Sequence, residues 1–204
     1  MKLYYAPGTC ALACWISLEW ANVEYSVERV NPKSEAYQQI NPLGLVPALD
    51  IQSSRPMTQA SAILQYIAQV ADNQVLGADS GLENQFEFNE IMAFLTGDFH
   101  PAFWPYFSPQ RYTTSTDQTA LESVRQSAFE RVDRVMMHLN DLIGESDHVY
   151  RNKRTVIDAY AFVMVLWTDS FQKSYRSYEN IDRFMRKMKE DETVDMVVRA
   201  SKKA

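Results

Sequence analysis

Residues 41–70 read NPLGLVPALDIQSSRPMTQASAILQYIAQV, and several local patterns follow one another within them. Residues 41–44 have the composition of a loop. Residues 46–51 are apolar and typical of a strand, and after a polar turn a very short strand is expected at 56–58. Across residues 62–70 the apolar side chains recur at helical spacing. The stretch therefore predicts two neighbouring strands followed by a helix.

The residues before this stretch alternate between strand and helix patterns. Residues 2–5 and 25–30 are typical of strands, and residues 9–22 lie between them with helical spacing. Residues 34–40 can form one or two helical turns. A strand–helix–strand unit followed by two strands and a helix predicts a small mixed sheet with helices on its faces.

The strand patterns stop after Asn73. Residues 72–81 are polar and contain glycine, which is typical of a linker. Helices are expected at residues 82–99, 121–143, 156–171, 181–188 and 193–200. The sequence thus predicts an α/β domain over residues 1–76 and an all-helical domain over residues 84–204.

The composition excludes several classes of protein. The 204 residues are 46% hydrophobic and 23% charged, as in folded proteins, and the net charge of −6 gives no basic surface for nucleic acid. No apolar run approaches the ~18 residues of a membrane helix. No His, Cys and Asp cluster has metal-ligand spacing. The two cysteines and an N-terminus without signal-peptide features favour a reducing cytoplasm.

Cys10 is the first candidate for chemistry. It follows Pro7-Gly8-Thr9, where a strand gives way to a helix. The free N–H groups at a helix N-terminus favour an anion, so a cysteine there is expected to have a lowered pKa. The alternative is a small buried apolar residue. Cys14 lies one helical turn further on, and we expect it to be an inert core residue.

Two further features point toward the same end of the sheet. Pro47 begins a strand, which is unusual because proline cannot donate a ladder hydrogen bond. A cis Val46–Pro47 bond would turn the Val46 backbone outward to pair with an extended peptide, the alternative being a trans bond on an edge strand. Gln59 and Ala60 precede a helix whose N-terminus could bind a carboxylate, or could simply be capped.

Three blocks of the sequence resemble those of one known family. They read YYAPGTCALA at residues 4–13, NPLGLVPAL at 41–49 and TQASAILQY at 58–66. They are similar to the bacterial beta-class glutathione transferases, and the likeness covers nearly the whole chain, including the capping box expected at Thr155 to Asp158. The block around Cys10 is the most class-specific of the three.

The resemblance implies the glutathione transferase fold, in which a thioredoxin-like N-terminal domain precedes an all-α domain. It implies a homodimer that conjugates glutathione, as co-substrate, to small hydrophobic electrophiles in detoxification, without a metal. A glutathione-dependent disulfide or peroxide reductase is an alternative. A non-catalytic binding or regulatory protein of the same fold is another.

The resemblance also implies roles for individual residues. Glutathione would lie along Val46 and Pro47 with its thiol facing Cys10, with which it could exchange through a mixed disulfide. Its γ-glutamyl carboxylate would bind at Gln59 and Ala60. The other implied site residues are Lys33 at the glycine carboxylate and His100 as a catalytic residue beside Phe103 in the electrophile pocket, the alternative for His100 being a cap of the helix that Pro101 breaks. The place of Tyr5 inside the first expected strand predicts a core residue or a wall of the electrophile pocket.

Two positions depart from the family pattern. Ala60 stands where the superfamily usually has serine, so a hydroxyl donor is lost there while the backbone N–H remains. Met92 aligns with an asparagine that the beta class offers from the partner subunit.

The aromatic residues between Phe99 and Phe107 predict an apolar pocket for the second substrate between the two domains.

Overall fold

The computed structural model of the chain describes residues 1–72 and 75–203. Its N-terminal part contains four strands and three helices in the order expected from the sequence. These are β1 (Lys2–Tyr5), α1 (Ala11–Ala21), β2 (Ser26–Arg29), α2 (Glu35–Gln38), β3 (Ala48–Asp50), β4 (Met57–Thr58) and α3 (Ala60–Val70).

The four strands form one mixed sheet in the order β2-β1-β3-β4. β1 runs parallel to β2 with Leu3 opposite Val27, and antiparallel to β3 with Leu3 opposite Leu49. β3 pairs antiparallel with β4. The thioredoxin-like arrangement predicted for this part is therefore confirmed, and it brings the C-terminal end of β1 next to the start of β3 at one end of the sheet.

The rest of the described chain is helical. Its α-helices are α4 (Leu82–Phe94), α5 (His100–Ala102), α6 (Trp104–Phe107), α7 (Gln118–Ile143), α8 (Val156–Leu166), α9 (Glu179–Glu190) and α10 (Glu192–Lys203). Short 3₁₀ turns lie at Pro109–Arg111 and Tyr175–Ser177. The all-helical C-terminal part agrees with the sequence prediction.

Two expected helices differ from the sequence prediction. The helix expected over residues 82–99 widens into a π-helix at Leu95–Phe99. Pro101 has no N–H to donate to the carbonyl of Gly97, four residues earlier, so one hydrogen bond of the α-helical pattern is missing where the π-helix meets α5. The helix expected over residues 156–171 ends at Leu166 and continues as turns.

Helices α1 and α8 join the two parts of the chain. Apart from Glu19, every residue of α1 is buried, and so are residues 156–165 of α8. A helix that is apolar on all sides belongs in the middle of a core, and α1 packs against α3 on one side and α8 and α10 on another. One continuous hydrophobic cluster runs through both parts as a result.

The N-terminus of α8 is held by a buried carboxylate. Asp158 is fully buried and accepts the backbone N–H of Thr155 at 2.7 Å and that of Val149 at 2.8 Å. The capping box expected from the sequence is present.

No helix in the described ranges is long and apolar enough to span a bilayer.

Candidate active site

The turn between β1 and α1 carries Cys10 at the N-cap position of α1. Gly8 has φ +72°, a left-handed conformation that glycine adopts without steric cost. The Thr9 hydroxyl donates to the Ala6 carbonyl at 2.7 Å and closes the turn. The Cys10 thiol donates to the Val46 carbonyl at 3.7 Å. Two of the residues singled out in the sequence are thus in direct contact.

The Cys10 sulfur differs from the sequence prediction. Only 7% of Cys10 is exposed, and burial raises the pKa of its thiol to about 12. The prediction of an accessible, thiolate-rich Cys10 is therefore wrong for this structure, because loss of hydration outweighs the helix N-terminus. Cys14 is fully buried, as expected for a core residue, and burial raises the pKa of its thiol as well.

The loop before β3 holds Val46 in a fixed place. The Val46–Pro47 bond is cis, as predicted. The carbonyl of Leu45 accepts the Tyr37 hydroxyl at 2.8 Å and the Asn41 amide at 2.6 Å. Ladder pairing of β3 begins at Ala48, so Val46 lies just outside the sheet ladder. This loop forms a rigid edge next to Cys10.

The N-terminus of α3 follows the same sheet edge. Gln59 is exposed and has φ +73°, an uncommon value for a residue with a side chain, and it supplies no side-chain cap. Ala60 is the first helical residue. The first N–H groups of α3 accordingly lack a partner within the helix, which is the arrangement that binds an anion.

Lys33 lies in a loop beside the Val46 loop. The Pro32 carbonyl is 2.9 Å from the position that a Cβ on Gly44 would take, so the two loops are in close contact there. Lys33 is exposed, and no carboxylate of the described residues lies within ion-pair distance of it. Its ammonium group is available to an anionic ligand.

Aromatic side chains from the helical part cover the Cys10 turn. The indole N–H of Trp167 donates to the Gly8 carbonyl at 2.9 Å. The Trp167 ring is 5.0 Å from that of His100 and 5.3 Å from those of Phe103 and Phe107. Phe107 is 48% exposed, so it offers apolar surface at this point.

His100 contacts Tyr160, a residue whose pKa is affected by the charge state of Cys10. The His100 Nδ1 lies 3.1 Å from the Tyr160 hydroxyl oxygen. Burial raises the pKa of Tyr160, and the neighbouring Cys10 and Cys14 add to this effect. Burial also lowers the pKa of His100 to about 4, so its imidazole is neutral at pH 7. At that pH it is a hydrogen-bonding group rather than a cation.

We expect the His100 imidazole to titrate near pH 4 rather than near its usual pH 6.5, because protonation would place a charge among aromatic rings. An NMR titration of the histidine ring protons measures this midpoint. Comparison with His100→Gln assigns the signal. A midpoint between pH 6 and 7 would contradict the burial described here.

Two other predicted site residues lie in the core. Tyr5 and Phe103 are both fully buried, and the Tyr5 ring is 5.0 Å from that of Trp15. The Tyr5 hydroxyl has no hydrogen-bond partner among the described residues. Their assignment to an electrophile pocket stays a prediction, since neither exposes surface in this structure.

Sequence reasoning missed Trp167 and Tyr160 as site residues. Both lie in or next to α8, which is buried on all sides, so no exposed polar face marks the side chains that reach the Cys10 turn. Two concavities lie away from Cys10. One of about 450 Å³ adjoins Arg154 and Asp191, and another of about 300 Å³ adjoins Gln65 and Phe88. Within residues 1–72 and 75–203, no group of His, Cys, Asp or Glu could hold a metal ion.

The fold and this arrangement define a glutathione transferase, and comparisons with known proteins agree. The family model for the glutathione S-transferase N-terminal domain matches residues 8–70. Glutathione S-transferase GST-4.5 of Xanthomonas campestris pv. campestris is 32% identical to the chain and covers 98% of both proteins. The chain belongs to the glutathione S-transferase family.

Solved structures show the same relationship. A sphingomonad glutathione S-transferase complexed with glutathione is 28% identical, covers 100% of both chains and has a TM-score of 0.86. The bacterial beta-class enzyme of Sphingomonas chungbukensis is 26% identical, covers 98% of both chains and has a TM-score of 0.85. The resemblance to the bacterial beta class is thereby confirmed.

Proposed function

We propose that this glutathione S-transferase joins the glutathione thiolate to small hydrophobic electrophiles at the edge formed by Cys10, Val46 and the N-terminus of α3. The observation that carries this proposal is the 3.7 Å contact between the Cys10 sulfur and the Val46 carbonyl, which joins the β1–α1 turn to the loop before β3. Glutathione bound to a structural relative supports it.

The proposed position of glutathione follows from three groups. The cysteinyl backbone pairs with Val46 in the manner of an added strand beside Pro47. The γ-glutamyl carboxylate accepts N–H groups at Gln59 and Ala60. The glycine carboxylate approaches the ammonium group of Lys33, which is exposed and free of ion pairs among the described residues.

The protonated state of Cys10 gives it a defined part in this chemistry. With a pKa of about 12 its thiol keeps its proton at pH 7 and can donate it in a hydrogen bond. A bound glutathione thiolate would take the place of the Val46 carbonyl as the acceptor of that bond, which lowers the free energy of the attacking anion. Cys10 thus stabilises the glutathione thiolate and is not itself the nucleophile.

The electrophile is proposed to lie against the aromatic residues that cover the Cys10 turn. Phe107 presents an exposed ring 5.3 Å from Trp167, and neutral His100 lies behind it. An apolar wall next to the thiolate favours a planar, hydrophobic second substrate. The sulfur–carbon bond forms there as the leaving group of the electrophile departs.

The experiment that tests this function measures glutathione conjugation to 1-chloro-2,4-dinitrobenzene, together with retention of the chain on immobilised glutathione. We expect both retention and a rate above the uncatalysed reaction. Retention without turnover would favour the non-catalytic alternative. Turnover only with a disulfide or a peroxide would favour the reductase alternative.

Restoring a hydroxyl at position 60 is expected to tighten glutathione binding. Ala60→Ser supplies one added hydrogen bond at the N-terminus of α3, which corresponds to about two- to tenfold in Kd. Titration calorimetry with glutathione measures the change. Ala62→Ser, at an exposed position in the same turn, is the matched control, and an equal gain there would contradict the proposed carboxylate position.

The assembly and location of the protein belong to the same proposal. On α4, Leu82 is 91% exposed and Phe86 is 67% exposed, which supports a homodimer built on this helix. A monomer by light scattering at micromolar concentration would contradict it. We also propose a detoxification role in the cytoplasm, and cell fractionation tests the compartment.

A further inference from the structure

Arg111 lies over the ring of Trp104, which is connected through His100 to the aromatic residues of the proposed electrophile site. Its guanidinium carbon is 4.8 Å from the centre of the Trp104 ring. The backbone around it is fixed, because Arg111 ends a 3₁₀ turn in which its N–H donates to the Ser108 carbonyl at 3.0 Å. The cation therefore lies over an aromatic ring although the residue is exposed.

Trp104 connects Arg111 to the residues around Cys10. Its ring meets the His100 ring edge-on at 6.0 Å, and His100 in turn lies 5.0 Å from Trp167. Trp167 donates to the carbonyl of Gly8 in the Cys10 turn. A continuous row of rings thus leads from the proposed reaction centre to the guanidinium group.

The charge of Arg111 is not neutralised by the protein. The chain has 26 Asp and Glu against 20 Lys and Arg, yet no carboxylate in the described ranges lies within ion-pair distance of Arg111. His100, the titratable group nearest along the row, has its pKa lowered to about 4 by burial and is neutral at pH 7. Arg111 is the charged group at the outer end of this aromatic row.

We propose that Arg111 is a specificity-determining residue that selects aromatic electrophiles bearing an acidic group. The aromatic part of such a substrate packs against the row of rings, and its carboxylate or sulfonate binds the guanidinium group. Arginine suits this role because its planar fork donates two hydrogen bonds to a carboxylate while its face remains on an indole. The inference rests on the proposed conjugation, whose substrate class it names.

The reaction that this site would favour is substitution on an activated aryl chloride. The glutathione thiolate forms a carbon–sulfur bond, the carbon–chlorine bond breaks, and chloride leaves with the bonding electrons. The proton of the glutathione thiol passes to water. The acidic group of the substrate is not changed in the reaction, so Arg111 positions the substrate without taking part in bond making.

The test uses 4-chloro-3,5-dinitrobenzoate and its methyl ester, which share the reacting carbon and differ in charge. We expect Arg111→Gln to lower the ratio of kcat/KM for the acid to kcat/KM for the ester by about fivefold or more. Arg111→Lys should recover part of the ratio. Arg125→Gln is the control, because Arg125 is paired with Glu122 on α7, and it should keep the ratio of the unaltered chain.

A second measurement uses binding alone. The glutathione conjugate of the benzoate should quench the fluorescence of Trp104 and Trp167, with a Kd raised about fivefold by Arg111→Gln. An unchanged rate ratio in Arg111→Gln, with the ester still conjugated, would overturn the inference and leave the proposed function standing. Conjugation of neither compound, with no conjugate binding, would overturn both.

Discussion

Replacing Asp158 by alanine is expected to lower the free energy of unfolding by about 3–5 kcal/mol. The substitution removes the acceptor of two buried N–H groups, those of Val149 and Thr155, and leaves each without a partner at about 1–3 kcal/mol. The Thr155 bond is also one half of the capping box of α8, so the loss of the box is included in this figure. Urea unfolding followed by circular dichroism measures the loss.

The matched control for this substitution is Asp117→Ala. Asp117 is the N-cap residue of α7 but makes no side-chain cap hydrogen bond and is exposed. We expect a change within about 0.5 kcal/mol there. A loss of only about 1 kcal/mol in Asp158→Ala would show that Asp158 acts as an ordinary helix cap rather than as a buried acceptor.

Alkylation of Cys10 in the ligand-free protein is expected to be roughly a thousandfold slower at pH 7 than that of an exposed cysteine. A pKa of about 12 leaves a thiolate fraction on the order of 10⁻⁵ at pH 7, against a few per cent for an ordinary thiol. Because the pKa is raised, the rate should climb about tenfold per pH unit from pH 7 to pH 10 without levelling. Peptide mapping after iodoacetamide treatment measures it.

Cys10→Ala separates this site from Cys14. The variant should lose any mixed disulfide with glutathione, while conjugation continues, since the attacking thiolate belongs to glutathione. A rate that levels off near pH 8 or 9, or earlier labelling of Cys14, would contradict the described burial. Loss of all conjugation in Cys10→Ala would show that Cys10 does more than donate a hydrogen bond.

The order of strands and helices could be predicted because local patterns determine it. The spacing of apolar residues and the turn residues mark β1, α1 and the hairpin of β3 and β4, and each of them forms where expected. The domain limits at residues 76 and 84 stay a prediction.

The environment of the site residues could not be read in the same way. The sequence shows that Cys10 begins a helix, which predicts a lowered pKa. The burial that raises this pKa instead comes from side chains elsewhere in the chain. Gln59 has a left-handed backbone although glutamine carries no local preference for it. Trp167 reaches Gly8 across 159 positions, a contact that no local pattern indicates.

The burial of α1 on all sides limits how this protein can be recombined. A hybrid that takes residues 1–70 from one relative and the helices from another must match every side chain of α1 to a foreign α8 and α10. Phe107 and Arg111 carry no such condition, because both are exposed to solvent. New substrate preferences are therefore expected to arise by substitution at the rim and not by exchange of whole segments.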